Sequence, residues 1–168
     1  MSVEPIYIGL GSNLPRESRS SAETIGDALD LLEREGVRTA RCSSLWSSPA
    51  WPDPSKPSYV NAVAEIETRL EADRLLDLLL SLETRLGRER LQRWDSRTLD
   101  LDLIDYRGQV MERAPQLILP HPRAVKRAFV MLPLQEIAPD WTDPVSGKAI
   151  DEIIKGLKAE DVDATSKL

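Results

Sequence analysis

The sequence predicts an α+β fold of the ferredoxin-like type, in which a βαββαβ chain forms an antiparallel sheet with two helices on one face, followed by a C-terminal helical extension. Three observations predict it. Short apolar or alternating runs occupy residues 6–11, 37–46, 59–67 and 99–106, two amphipathic helical patterns separate first from second and third from fourth, and Gly36 and Gly87 close both helices. A length of 168 residues suits one domain with a real core. No repeat, linker or low-complexity segment divides it, so a single domain over 1–168 is expected, with the core at about 5–145 and the extension at about 146–168.

Each element has its own signal. Ile6 to Gly11 is a short apolar run ending in glycines, read as a buried strand. Ser20 and Glu23 form a capping box ahead of Ala22, Ile25, Leu29 and Leu32 at helical spacing. Val37 to Trp46 is read as the second strand. Pro49, Pro52, Pro54 and Pro57 make the next stretch a restricted loop. Alternation from Tyr59 to Glu67 marks the third strand, and Ala72, Leu75, Leu79, Leu82 and Leu86 the second helix. Leu99, Leu101 and Leu103 share one face of the strand running to Tyr106. Beyond Gly108 come a short hairpin or loop and a buried helix over Ala128 to Ile137, interrupted by Pro133. One further helix is expected near Ile150 to Leu157, with a frayed polar tail after it.

Composition narrows the function. A hydrophobic fraction of 41% with 30% charged residues is that of a globular chain. Lys and Arg total 22 against 28 Asp and Glu, and a net charge of −6 disfavours a general nucleic-acid binder. One cysteine and one histidine exclude an internal disulfide framework and a zinc site of the usual Cys/His type. No apolar run approaches ~18 residues and the N-terminus lacks a basic start, so no membrane span or secretory signal is expected and the expected location is cytoplasmic.

The chemistry gathers in Arg97 to Tyr106. Asp100 and Asp102 emerge together from a strand whose leucines face inward, with Cα atoms about 6.8 Å apart. Two carboxylates so placed can grip hard divalent cations, and the absence of nearby imidazole or thiolate ligands favours Mg²⁺. On the pair alone, a solvated strand face is equally open. Upstream, Arg85, Arg88, Arg90, Arg93 and Arg97 face only Glu89 and Asp95, and guanidinium forks match phosphate oxygens. Each arginine taken singly is a solvated loop residue; beside the carboxylate pair, the cluster points to a polyphosphate. A second basic patch runs from His121, the sole histidine, through Arg123 and Lys126 to Arg127. Tyr59 and Asn61 share a strand face and can stack on and hydrogen-bond a flat heterocycle, with ordinary packing of Tyr59 as the alternative. Trp94 either covers a nucleotide or shields its loop.

Gly9-Leu10-Gly11 lacks the third glycine and acidic partner of a dinucleotide fingerprint, and no P-loop pattern occurs. Ser12 and Cys42 are read as structural. The segments IYIGLGSN (Ile6 to Asn13), SSPAWPDPSKPSYVNAV (Ser47 to Val63), ETRLGR (Glu83 to Arg88), RWDSRTLDLDLI (Arg93 to Ile104) and LPHPRAVKRAFVMLPLQEIAP (Leu119 to Pro139) together resemble the 6-hydroxymethyl-7,8-dihydropterin pyrophosphokinase family of folate biosynthesis. The resemblance spans residues 5 to about 145.

That resemblance implies transfer of the β,γ-pyrophosphoryl group of ATP to the pterin hydroxymethyl oxygen, with release of AMP. It implies that Asp100 and Asp102 hold two Mg²⁺ ions, that Arg88 and Arg97 act on phosphate, and that all four carry the catalysis. Tyr59 and Phe129 are implied to sandwich the pterin, with Asn61, Ser48, Pro49 and Trp51 reading its edge. On the ATP side it implies Glu83, Arg88, Arg90, Trp94, Arg97, Leu103, His121 and Arg127, the adenine meeting the Leu103 backbone. Two departures stand out: Leu91 sits where some members have lysine, in a loop one residue shorter, and Asp95 replaces the usual glycine. The implied partners are ATP and the hydroxymethyl pterin, with no nucleic acid or membrane and a monomeric chain. A non-catalytic pterin- or nucleotide-binding module is the alternative. An RNA-binding domain is disfavoured by the acidic balance and the lack of an aromatic strand motif.

Overall fold

Alternation along β1 (Ile6–Ser12) sends Ile6, Ile8 and Leu10 to one face of the sheet and Tyr7, Gly9 and Gly11 to the other. The chain is seen here as a computed structural model that describes residues 4–13, 19–50, 53–87, 99–113 and 117–168. Helix α1 (Ser21–Arg34) opens on the capping box, the Glu23 amide donating to Ser20 Oγ at 3.1 Å and the Ser20 amide to Glu23 Oε1 at 3.2 Å. It buries Ile25, Ala28 and Leu32 and ends before Gly36, whose φ of +83° suits glycine at a helix stop.

The single strand expected over residues 37–46 is two, β2 (Arg38–Cys42) and β3 (Trp46–Ser48), both paired with β4 (Tyr59–Glu67). Cys42 pairs with Ala64 and Trp46 with Asn61, so four steps of chain oppose three on β4 and one residue bulges out. The Ser44 amide, turned away from β4, donates instead to the Glu136 carboxylate at 2.8 Å. Helix α2 (Ala72–Gly87) buries Leu75, Leu79, Leu82 and Leu86. It leads towards β5 (Asp100–Tyr106), which pairs antiparallel with the free side of β1. The β1–β5 register shifts between Tyr7 and Ile8, leaving Ile104 without a partner. A hairpin of β6 (Met111–Arg113) and β7 (Leu117–Leu119) follows, then a 3₁₀ turn at Ala124–Lys126 and helix α3 (Ala128–Ile137).

The main sheet is antiparallel throughout its described pairs, in the order β5–β1–β4–β3 with β2 also on β4. Helices α1 and α2 cover the face bearing Ile8, Leu10, Leu101 and Leu103, while α3 packs Val130, Met131 and Leu134 against Tyr7, Val63 and Ile104 on the opposite face. Pro133 does not interrupt α3 as expected. It removes the i+4 donor for the Phe129 carbonyl, but the fully buried Met131 and Leu134 hold the helix on the sheet.

The C-terminal segment also differs from expectation. One helix near residues 150–157 becomes α4 (Ile150–Lys155), followed by α5 (Ala159–Ala164), and the polar end is not frayed. It forms β8 (Ser166–Lys167), which pairs with β3, and the Leu168 amide donates to the Leu45 carbonyl at 2.9 Å. The bare backbone of a three-residue edge strand supplies the partner that the tail composition did not announce. Ile150 is fully buried beside α3, anchoring the segment to the body of the protein. Among the described residues, no helix is long and apolar enough to cross a membrane.

Candidate active site

Register brings the site together. Gly11 pairs with Asn61 on one side and Asp100 on the other, and Trp46 continues the row beyond Asn61. Gly9 likewise lies between Val63 and Asp102. A Cβ on Gly11 would sit 3.3 Å from Asn61 Oδ1, and one on Gly9 would sit 3.9 Å from Asp102 Cβ. The two glycines therefore form a low floor between the amide and the carboxylates. Neither was singled out as functional in the sequence, where the pair looked only like a broken dinucleotide motif. Two glycines two apart in a strand are the signal of a close approach.

Above this floor is a cavity of about 340 Å³, lined by Ser48, Pro49, Tyr59, Asn61, Phe129 and Val130 and by Asp100, Asp102 and Arg127. Ser48 Oγ accepts the Asn61 amide hydrogen at 2.8 Å, and both residues are buried, which leaves the Asn61 oxygen turned towards Gly11. Asp100 and Asp102 also line a second cavity of about 500 Å³ together with Tyr59, His121, Arg123 and Arg127. The carboxylate pair is thus common to a ring-sized apolar slot and a cationic recess.

The cationic side is built from backbone. The unpaired Ile104 of β5 offers its carbonyl to the His121 amide at 2.8 Å, which holds the loop after β7 against the carboxylate strand. The Arg123 amide donates to His121 Nδ1 at 3.2 Å, so Nε2 carries the ring proton and faces Asp102 Oδ1 at 3.9 Å. Burial lowers the His121 pKa, against the upward pull of Asp102 and with the help of Arg127 and Arg123. Arg127 Nη1 stands 4.0 Å from Asp102 Oδ2, and its guanidinium lies 5.5 Å from the centre of the Phe129 ring.

Glu83 and Leu103 enter neither cavity. Glu83 is buried beneath β5 and Leu103 packs into the helical face of the core. Trp51, Arg88, Arg90, Leu91, Trp94, Asp95 and Arg97 lie outside the described residues. Among the described residues, no group of three or more His, Cys, Asp or Glu side chains is placed to hold a metal ion. The donor set present, two strand carboxylates with His121 Nε2 as a proton donor, fits magnesium, which keeps its water and takes one or two carboxylates plus substrate phosphate.

A slot lined by Tyr59 and Phe129 that opens onto paired carboxylates and cationic side chains is the arrangement a kinase-type phosphotransfer protein needs. The comparisons make the class particular. Residues 7–139 match the family model described as 7,8-dihydro-6-hydroxymethylpterin-pyrophosphokinase (HPPK), and the chain belongs to that family. It is similar to the 2-amino-4-hydroxy-6-hydroxymethyldihydropteridine pyrophosphokinase of Synechocystis sp., 41% identical over 167 residues that cover 95% of this chain and 76% of that protein. Proteins of the same name from Methylorubrum extorquens (37% identity, 90% of this chain and 92% of that one) and Haemophilus influenzae (39%, 89% and 90%) are also similar. In fold, the chain resembles a solved HPPK-DHPS in complex with substrates, with a TM-score of 0.68 at 10% identity over 92% of this chain. It spans 43% of that longer protein.

Proposed function

We propose that this chain transfers the β,γ-pyrophosphoryl group of ATP to the hydroxymethyl group of 6-hydroxymethyl-7,8-dihydropterin in folate biosynthesis. The hydroxymethyl oxygen attacks the β-phosphorus, the bond from that phosphorus to the α,β-bridging oxygen breaks, and AMP leaves with that oxygen. The hydroxyl proton is lost and the pterin carries the diphosphate. The observation that carries this reading is the shared wall of the two cavities: Asp100 and Asp102 stand where the ring slot of Tyr59, Asn61 and Phe129 meets the recess of His121 and Arg127.

Tyr59 and Phe129 flank the pterin ring, and Asn61, oriented by Ser48, reads its polar edge beside Pro49. Trp51 is assigned to the same edge by the resemblance. Asp100 and Asp102 are proposed to hold two Mg²⁺ ions. The metal, when bound, neutralises phosphate charge and favours loss of the hydroxyl proton. Arg127 and the Nε2 proton of His121 supply donors to the phosphates. The resemblance assigns Arg88, Arg90 and Arg97 to the same phosphates and Trp94 to the nucleotide. Glu83 steadies the strand on the nucleotide side, and the adenine is assigned to the Leu103 backbone by the resemblance alone.

The order β5–β1–β4–β2 with α1 and α2 on one face supports a ferredoxin-like domain, extended by α4 and α5. The packing of Ile150 supports a single domain, proposed to act as a cytoplasmic monomer. The test is AMP release from ATP, followed with and without the hydroxymethyl pterin and with and without Mg²⁺. Release that needs all three supports the proposal. Ligand binding without AMP would leave a non-catalytic binding module instead.

A further inference from the structure

The sequence assigned no role to Glu136, yet its side chain joins three parts of the fold. Oε2 accepts from both the amide and the hydroxyl of Ser44 at 2.8 Å, and Oε1 accepts from Trp46 Nε1 at 3.0 Å. Lys167 Nζ of the C-terminal segment lies 3.8 Å from Oε1. Burial alone would raise the Glu136 pKa, but the Ser44 and Trp46 hydrogen bonds and Lys167 outweigh it and hold it below the ordinary range.

It grips the bulge between β2 and β3 at Ser44 and the first residue of β3 at Trp46. That bulge sets the register by which Trp46 faces Asn61 and Ser48 faces Tyr59. Since side chains alternate along a strand, a slip of one residue would turn Ser48 away from Asn61. β3 has only three residues, too few to fix its own register firmly. Glu136 ties its start to α3, the helix that carries Phe129 on the other wall of the slot.

We infer that Glu136 is a positioning residue of the pterin subsite: it locks the β2–β3 bulge, and through β3 it orients Ser48 and hence the edge-reading amide of Asn61. This rests on the pyrophosphokinase reading given above. Glu136 lines neither cavity and reaches the pterin subsite through its bonds to Ser44 and Trp46.

The experiment uses the full chain in steady-state assays, with the Kd of the pterin measured separately by fluorescence titration. Glu136→Ala is expected to raise the pterin KM and Kd about tenfold while kcat and the ATP KM stay within about twofold. Glu136→Gln keeps an acceptor for Ser44 but sets its amide N–H against Trp46 Nε1–H, so it should be intermediate. Adding Trp46→Phe removes that clash of two donors, and Glu136→Gln with Trp46→Phe is expected to bind pterin more tightly than Glu136→Gln alone. A general packing defect would predict the reverse, because the double variant has lost more. An active wild type whose pterin KM is unmoved in Glu136→Ala, or whose pterin and ATP KM rise together, overturns the proposal. A wild type that neither binds nor converts the pterin overturns the pyrophosphokinase reading and this proposal with it.

Discussion

Glu83 Oε1 accepts a 2.8 Å hydrogen bond from the backbone amide of Leu101, the residue between Asp100 and Asp102. β5 is an outer strand, paired with β1 on one side only among the main-sheet strands, and its outward amide would otherwise be buried without an acceptor. At 6% exposure, the α2 carboxylate thus fixes the strand that presents both aspartates.

Glu83→Ala is therefore expected to lower unfolding free energy by about 1.5–3 kcal/mol, the scale of a hydrogen bond to a charged group. Glu83→Gln keeps an acceptor oxygen and should recover much of that loss. Urea unfolding of the three proteins checks this, and equal stabilities would show that the bond contributes nothing.

Asp100→Ala and Asp102→Ala should each reduce turnover at least about 10³-fold with Mg²⁺, since several kcal/mol of transition-state stabilisation rest on the metal. The fold should persist, because Leu99, Leu101 and Leu103 remain packed on the other face. Circular dichroism alongside the AMP assay separates the two effects. Near-normal activity in either variant would refute the metal assignment.

Tyr59→Ala or Phe129→Ala should weaken pterin binding by about 1–3 kcal/mol, the scale of stacking a flat heterocycle on an aromatic side chain. Nucleotide affinity should change far less. Calorimetric titration with each ligand decides, and equal losses for both would indicate disturbed packing rather than a lost ring contact.

Asp105 gives a pH signature away from the site. It is 4% exposed, and burial raises its pKa above 3.8 despite hydrogen bonds of 2.8 Å from Trp141 Nε1 and from the Gly108 amide. The folded state holds this proton more tightly than the unfolded one, so the associated stability is full below the unfolded pKa and is lost as pH rises through the folded value. The stability of the wild type relative to Asp105→Asn should accordingly fall as pH rises from the unfolded value of 3.8 through the raised folded one. Chemical denaturation across that interval measures it, and a constant difference would exclude a raised pKa.

The carboxylate strand and both covering helices were legible because each depends on local spacing. Asp100, Asp102 and the inward leucines obey simple alternation, and α1 carries its capping box and Gly36 in the sequence itself. Strand alternation pointed to Tyr59 and Asn61 and the resemblance added Ser48 and Phe129, and the structure gathers all four around one slot. What escaped reading depends on partners far away in the chain. The split between β2 and β3 is held by Glu136, 92 residues beyond Ser44. Pro133 looked like a helix breaker because its buried neighbours on the sheet are invisible to local pattern. The spacing of Gly9 and Gly11 signals a close approach, but what approaches, Asn61 and Asp102, is set by strands distant in the chain.

The pairing of Ser166 and Lys167 with β3 bears on how the protein behaves in concentrated solution. An uncovered strand edge offers free amides and carbonyls to a neighbouring molecule. Here two residues, with the Leu168 amide on Leu45 and the Lys167 ammonium 5.5 Å from the centre of the Trp46 ring, occupy that edge. So short a strand is itself a poor template for further sheet growth. Ser166 to Leu168 thus occupy backbone of β3 and Leu45 that would otherwise stand open to a strand of a neighbouring molecule.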